Sequence, residues 1–256
     1  MTPLHSILLG AVEGVTEFLP ISSTGHLILA SSLLGLSQTE FQKSFEIIIQ
    51  LGAIASVVAV YWRSFLNVRI LKRVAIAFLP TGLIGLALYK VIKTYLLGNE
   101  TVVLWAMLLG GVVLIAFEYF HREKADAVRE ISAMSWRQAA LIGVFQSVAI
   151  VPGVSRSAAS IIGGLGLGLT RVAIVEFSFL LAVPTMLAAT GLDLLKNASA
   201  FSPDQFGILA AGFATSFVVA LFSIKFLLRF VRTRTFVPFG VYRIIAALLF
   251  FFFVLK

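Results

Sequence analysis

Residues 13–26 read Glu13-Gly14-Val15-Thr16-Glu17-Phe18-Leu19-Pro20-Ile21-Ser22-Ser23-Thr24-Gly25-His26, the centre of an otherwise apolar stretch that runs from 4 to 35. Crossing a bilayer takes about 20 residues of helix, and the apolar halves on either side of this centre are each too short. Two acids, a proline and a run of hydroxyls stand where a spanning helix would have its most hydrophobic turns. Helix, polar loop and helix at membrane depth survive only where protein or a wet cavity surrounds the loop, so the stretch predicts a re-entrant hairpin. A second stretch, 138–168, is broken in the same way at Val151-Pro152-Gly153-Val154-Ser155-Arg156-Ser157.

The composition around these hairpins excludes a soluble globular protein. Of 256 residues, 59% are hydrophobic and 12% charged, with a mean hydropathy of +1.02, against about 45–50% apolar and about 25% charged in soluble domains. Apolar runs bounded by charge or by Gly and Pro mark further helices at 45–62, 75–96, 102–120, 173–195, 206–228 and 241–255. The fold class is therefore an all-α polytopic membrane protein, with about six transmembrane helices plus two re-entrant helix-loop-helix hairpins. Zero cysteines exclude disulfides, thiolate metal sites and Cys nucleophiles. The net charge of +8 reads as a topology signal, since Lys and Arg gather in cytoplasmic loops, and nucleic acid is not an expected partner. Residues 1–35 lack the basic start and uncharged core of a secretory signal, so this segment is expected to stay in the membrane domain.

Loop charge orients the spans. Segment 63–73 carries Arg63, Arg69, Lys72 and Arg73 without an acid, and 229–234 carries Arg229, Arg232 and Arg234 without one, so both are expected in the cytoplasm. Counting passages from them puts 121–137 inside as well, and 36–44, 94–101 and 196–205 outside. The first hairpin then enters from the outer face and the second from the cytoplasmic face. One hairpin plus three spans per half is an odd number of crossings, which predicts an inverted-topology repeat, 1–122 and 133–256, within a single integral membrane domain 1–256. An offset of 132–134 lays Glu13 near Gln146, Pro20 over Pro152, Ser22-Ser23-Thr24 near Ser155-Arg156-Ser157, and Thr81-Gly82 over Thr215-Ser216.

Each charge at the centre of a membrane helix costs on the order of 2.5–3.5 kcal/mol, so the few present point first to function. Glu13 and Glu17 lie four apart on one helical face beside the first break. Two carboxylates so placed repel unless one is protonated or a cation lies between them, either a divalent metal or an Arg from elsewhere. Ser22, Ser23 and Thr24 open the second half-helix, where hydroxyls and free backbone N–H groups suit a phosphate. Alone they would read as an N-cap; their coincidence with Glu13 and Glu17 favours a site. His26, a turn beyond Ser23, could take a proton from a hydroxyl or meet phosphorus directly. Arg156, flanked by Ser155 and Ser157, needs an anion: a phosphate held bidentately between those hydroxyls, or the acids of the first hairpin. Glu46 with Gln50, Gln146, Glu176, Asp193 and Arg243 read as structural hydrogen-bonding groups.

The run from Glu13 to His26, then Phe45-Glu46-Ile47-Ile48-Ile49-Gln50-Leu51-Gly52, Pro152-Gly153-Val154-Ser155-Arg156-Ser157 and Glu176-Phe177-Ser178-Phe179-Leu180-Leu181-Ala182-Val183-Pro184, closely resemble the undecaprenyl-diphosphate phosphatase family, also called the bacitracin-resistance family. The resemblance covers nearly the whole chain; Ala158 stands where many relatives have Gly. It implies an integral enzyme of the bacterial cytoplasmic (inner) membrane, its site opening to the outer face, that removes the terminal phosphate from undecaprenyl diphosphate and so recycles the lipid carrier for cell-wall synthesis. Carried over by position, the implied catalytic residues are Glu13, Glu17, Ser23, His26 and Arg156.

The expected chemistry is phosphoanhydride hydrolysis in a midplane cavity where the hairpin tips meet. Arg156 and the loop N–H groups would hold the terminal phosphate, with Ser22, Thr24, Ser155 and Ser157 around it. Ser23 is the favoured nucleophile with His26 as its base; His26 attacking phosphorus is the other option. Glu13 and Glu17 would orient His26 or water, or hold a divalent cation such as Mg²⁺ or Ca²⁺. Expected partners are a polyprenyl diphosphate, membrane lipid and, as an option, a second copy of the chain. A polyprenyl-phosphate transporter or flippase using the same anion site is the alternative function, because inverted repeats around broken helices are transporter architecture. The topology is directly checkable in a chain without cysteine: Arg69→Cys should react with an impermeant thiol reagent only from the cytoplasmic side, and labelling from outside intact cells would overturn the map.

Overall fold

Each broken stretch folds as two short helices around an irregular tip. In chain order the helices are α1 (Pro3–Thr16), α2 (Ser23–Leu33), α3 (Glu40–Tyr61), α4 (Val68–Val91), α5 (Glu100–Phe120), α6 (Trp136–Ser147), α7 (Arg156–Gly166), α8 (Arg171–Asn197), α9 (Phe206–Val231) and α10 (Val237–Val254). They belong to a computed structural model that describes residues 1–37, 39–91, 95, 96, 99–197 and 205–254. Of the outer connections expected at 94–101 and 196–205, residues 94, 97, 98 and 198–204 lie outside the described residues, as does the side chain of Asp193.

Helix starts follow local chemistry. Thr2 and Ser135 open α1 and α6 as reciprocal capping boxes with His5 and Gln138, and Thr39 and Asn99 cap α3 and α5. Among the described residues five helices are long and apolar enough to cross a membrane, and where a sixth span is expected over 241–255 there is a shorter apolar helix, Val237–Phe253. The basic segment expected as a loop over 63–73 is shorter than that. Arg69, Lys72 and Arg73 ride on the first turns of α4, because long basic stems keep their charges in water from the end of a helix. Large apolar side chains such as Trp105, Leu109, Phe222, Phe226 and Leu249 point outward, exposed, as a lipid-facing surface requires.

The first tip is wrapped in protein. Phe18, Leu19 and Ile21 join Ala53, Ile54 and Val57 of α3, Ile161 and Leu165 of α7, and Phe177, Phe179 and Leu180 of α8 in one buried cluster. Around it α1 packs on α9, α6 on α4, and α5 against α10. The two hairpins share backbone detail at positions 133 apart. Ser22 and Ser155 have φ of 74° and 76°, and Gly35 and Gly168 have φ of 64° and 85°. Those glycines end α2 and α7 alike: Leu36 N–H returns to the Ser31 carbonyl at 2.9 Å and Leu169 N–H to the Gly164 carbonyl at 3.0 Å, the six-to-one bond of a glycine-terminated helix.

Arg243, on α10, pins the tips together. Its guanidinium is fully buried. Nη1 donates to the carbonyls of Pro20 (3.4 Å) and Val154 (2.8 Å), Nη2 to those of Gly153 (2.9 Å) and Ala106 (3.0 Å), and Nε to that of Met107 (3.2 Å). The guanidinium lies so close to Gly110 that a Cβ there would overlap Nη2, whereas nothing lies within 4 Å of a Cβ at Gly207. Overfilling a packed site costs about 1–3 kcal/mol. Gly110→Ala should therefore lower the thermal midpoint in detergent by several degrees, with Gly207→Ala unchanged or slightly higher; equal midpoints would mean that the fold does not depend on this contact.

Candidate active site

The site is built where α1 stops and α2 begins. Glu17 closes α1 with its N–H on the Glu13 carbonyl at 2.9 Å, and Pro20, lacking an N–H, cannot continue the helix. Ser22, at φ 74° and ψ 95°, turns the chain back and caps α2 by accepting from Gly25 N–H at 3.5 Å. Such backbone costs about 1–3 kcal/mol and persists only where its surroundings hold it. The second tip repeats the device, with Ser155 capping Ala158 N–H at 3.2 Å so that Arg156 starts α7. The result is two helix N-termini, one at each tip.

The Glu17 carboxylate joins the tips. Ser23 Oγ–H donates to Glu17 Oε2 at 2.6 Å, and Arg156 Nη2 donates to Glu17 Oε1 at 3.2 Å. Arg156 Nη1 donates to the Ser178 carbonyl of α8 at 2.7 Å, and its Nε–H is buried without an acceptor among the described residues. A buried guanidinium N–H left unpaired is costly, and an anion brought to that edge would satisfy it. Glu13, Glu17, Ser23 and His26 are all buried.

Glu13 is the other unsatisfied group. Its carboxyl lies within hydrogen-bonding reach of that of Glu17, and its two buried oxygens accept from no N–H or hydroxyl among the described residues. Two orphaned oxygens beside a second carboxylate fit a divalent cation. No cluster of three or more His, Cys, Asp or Glu at metal-binding spacing exists among the described residues, so these two carboxylates would be the protein's acidic ligands.

The geometry departs from the sequence expectations at several side chains. His26 makes no side-chain hydrogen bond to Ser23: its Nδ1 lies 2.7 Å from the Ser22 carbonyl and its Nε2 2.8 Å from the Tyr242 hydroxyl. Ser22, Ser155 and Ser157, expected around the phosphate, spend their hydroxyls on the scaffold, the first two as caps and Ser157 by donating to the Leu19 carbonyl at 2.9 Å. The physical reason is competition, since buried loop N–H and carbonyl groups take the nearest hydroxyls. Thr24 is exposed. The structural readings of Gln146 and Arg243 match what is seen; Gln146 donates to Thr81 and Thr185 and accepts from Ser160.

Comparison with known proteins places the chain among its relatives by sequence. The family model described as bacitracin resistance protein BacA matches residues 6–249. This chain is 51% identical to an undecaprenyl-diphosphatase of Sulfurihydrogenibium sp. (strain YO3AOP1) over 98% of its own length and 99% of the relative's. It is 49% identical to one of Aquifex aeolicus (strain VF5) over 98% of each chain, and 47% identical to one of Wolinella succinogenes over 99% and 98%. The chain belongs to the BacA family.

For this BacA-family chain, the structure brings together four of the five residues that its sequence motifs single out, Glu13, Glu17, Ser23 and Arg156, and holds the fifth, His26, against Tyr242. Tyr242 and the Ser178 carbonyl escaped the sequence reading. A carbonyl leaves no trace in residue type, while Tyr242 could have been found as the polar neighbour of Arg243 in an apolar span. Arg156 reaches Glu17 and Ser178 with separate nitrogens of one planar fork, which an ammonium cannot imitate. Arg156→Lys should cost tenfold or more in kcat/KM, about 1.4 kcal/mol of transition-state stabilisation or above, with an unchanged melting profile. Near wild-type kcat/KM would reduce Arg156 to a point charge.

Proposed function

We infer that this chain hydrolyses undecaprenyl diphosphate to undecaprenyl phosphate and inorganic phosphate, recycling the lipid carrier for cell-wall synthesis and conferring bacitracin resistance. The observation that carries the mechanism is the 2.6 Å bond from Ser23 Oγ to a carboxylate that also holds Arg156. A serine hydroxyl against a buried carboxylate is a nucleophile with its base in place.

Ser23 Oγ attacks the terminal phosphorus and passes its proton to Glu17. The bond from phosphorus to the bridging oxygen breaks, and undecaprenyl phosphate leaves. Arg156 and the N-terminal N–H groups of α2 and α7 stabilise charge on the equatorial oxygens. Water then attacks the phosphoserine phosphorus, the bond from phosphorus to the serine oxygen breaks as Glu17 returns its proton to that oxygen, and the water's own protons leave on the released inorganic phosphate, so that Ser23 and Glu17 end as they began. This reading moves the base from His26 to Glu17, because both imidazole nitrogens are already engaged. A divalent cation, Mg²⁺ or Ca²⁺, would be held by the oxygens of Glu13 on the side of the Glu17 carboxyl, and its charge would offset that of the diphosphate when bound.

The proposal extends to the architecture. The shared φ values and helix ends at positions 133 apart support an inverted-topology repeat of 1–122 and 133–256, and the loop charges support a bacterial cytoplasmic membrane protein whose site opens to the outer face.

Purified protein in detergent should release phosphate from substrate labelled in its terminal phosphate; a flippase would release none. Rapid quench should trap an acid-stable serine adduct that is absent in Ser23→Ala, and Glu17→Gln should lower kcat by about 10²–10⁴. An acid-labile adduct present in Ser23→Ala and lost in His26→Ala would overturn the assignment in favour of His26.

A further inference from the structure

Tyr242 is a residue of α10 that no part of the mechanism above uses. Its hydroxyl lies 2.8 Å from His26 Nε2. The two rings are stacked, with centroids 5.4 Å apart and planes within 6° of parallel. On the other side of the imidazole, Nδ1 lies 2.7 Å from the Ser22 carbonyl, which also accepts the His26 backbone N–H at 3.3 Å. A carbonyl only accepts, so Nδ1 carries the proton, Nε2 is the acceptor, and the Tyr242 hydroxyl donates.

The bonds form a chain from α10 into the site. Tyr242 holds His26, His26 holds the carbonyl of Ser22, and Ser22 is the residue with left-handed backbone that sets the start of α2. The next residue is Ser23, whose hydroxyl must point at Glu17. A residue at φ 74° has little tendency of its own to stay there, so whatever grips its carbonyl also fixes the direction of the Ser23 side chain. His26 has both nitrogens occupied in this grip. Its place in the motif is thereby accounted for without a proton transfer to or from Ser23.

We propose that Tyr242 is a positioning residue that acts through His26: it fixes the imidazole as the Nδ1–H tautomer, which holds Ser22 in its left-handed conformation and aims Ser23 at Glu17. The inference rests on Ser23 as the nucleophile.

Tyr242→Phe keeps the stacked ring and removes only the hydroxyl. It should lower kcat about tenfold with KM within about twofold, because alignment and not substrate binding is lost. In a His26→Gln background the same change should cost less than about twofold, since two residues acting in series are not additive. The second readout needs no turnover. The chain has three histidines, and His26 is assigned in ¹⁵N spectra of labelled protein by its loss in His26→Gln. In the wild type its Nδ1 should be protonated and its Nε2 hydrogen-bonded but unprotonated, and in Tyr242→Phe the Nε2 resonance should move as that bond is lost. Wild-type kcat in Tyr242→Phe, additive losses in the double variant, or an unmoved Nε2 resonance would each overturn the proposal. Failure of Ser23 as the nucleophile would appear separately, as a missing serine adduct, with the Nε2 shift intact.

Discussion

A guanidinium bonded only to carbonyls, that of Arg243, is the interaction on which the rest of the structure depends. A bilayer offers no water to irregular backbone, and each unsatisfied polar group there costs several kcal/mol. Two broken helices bring two such loops within reach of one guanidinium. One side chain on α10 answers Pro20 from the first tip and Gly153 and Val154 from the second, and ties both to α5 through Ala106 and Met107. Gly110 leaves the room that the guanidinium fills. Gly153, at φ 94°, lets the second tip lie on the backbone of α5, where a Cβ would come within 2.5 Å of the Val103 carbonyl.

The site is a consequence of that joint. Once the tips are fixed against each other, Glu17 from one meets Arg156 from the other, and a single carboxylate orients both the serine hydroxyl and the guanidinium. Groups held this way inside protein need no reorganisation when charge moves, and their dipoles act in a medium that screens them little. The cost is stored locally, in the backbone of Ser22 and Ser155 and in the carboxylate of Glu13, which finds no donor. Strain and unsatisfied polarity concentrate within one turn of Glu17, Ser23 and Arg156, while the surrounding cluster of Phe18, Phe177 and Phe179 is ordinary close packing.

The division of labour among the hydroxyls follows from the same shortage of partners. Seven hydroxyl or imidazole side chains stand at the two tips, Ser22, Ser23, Thr24, His26, Ser155, Ser157 and Ser160, and most are consumed by the loops themselves. Ser22 and Ser155 satisfy helix N–H groups, Ser157 satisfies Leu19, and Ser160 bonds to Gln146 and Arg156. Ser23 is the one among them whose hydrogen bond goes to an acid. Gln146, at the place corresponding to Glu13, shows the contrast between the halves: its amide is saturated by Thr81, Thr185 and Ser160, where the carboxylate of Glu13 meets no donor.

The sequence by itself determined the membrane class, the two broken stretches and the polar residues that meet at their tips, because polar groups in an apolar run are costly enough to be conspicuous. Glu13, Glu17, Ser23 and Arg156 were legible for that reason. Helix ends were less so: the basic residues after 68 stay within α4, since an Arg or Lys near a terminus can reach water without breaking the helix. The tertiary structure alone decided which donor meets which acceptor. That Ser23 bonds to Glu17 and not to His26, that Tyr242 completes the imidazole, and that Arg243 is the joint between the tips depend on distances across 216 and 223 residues of chain. Residue type limits what a side chain can donate or accept, but only packing fixes its neighbour.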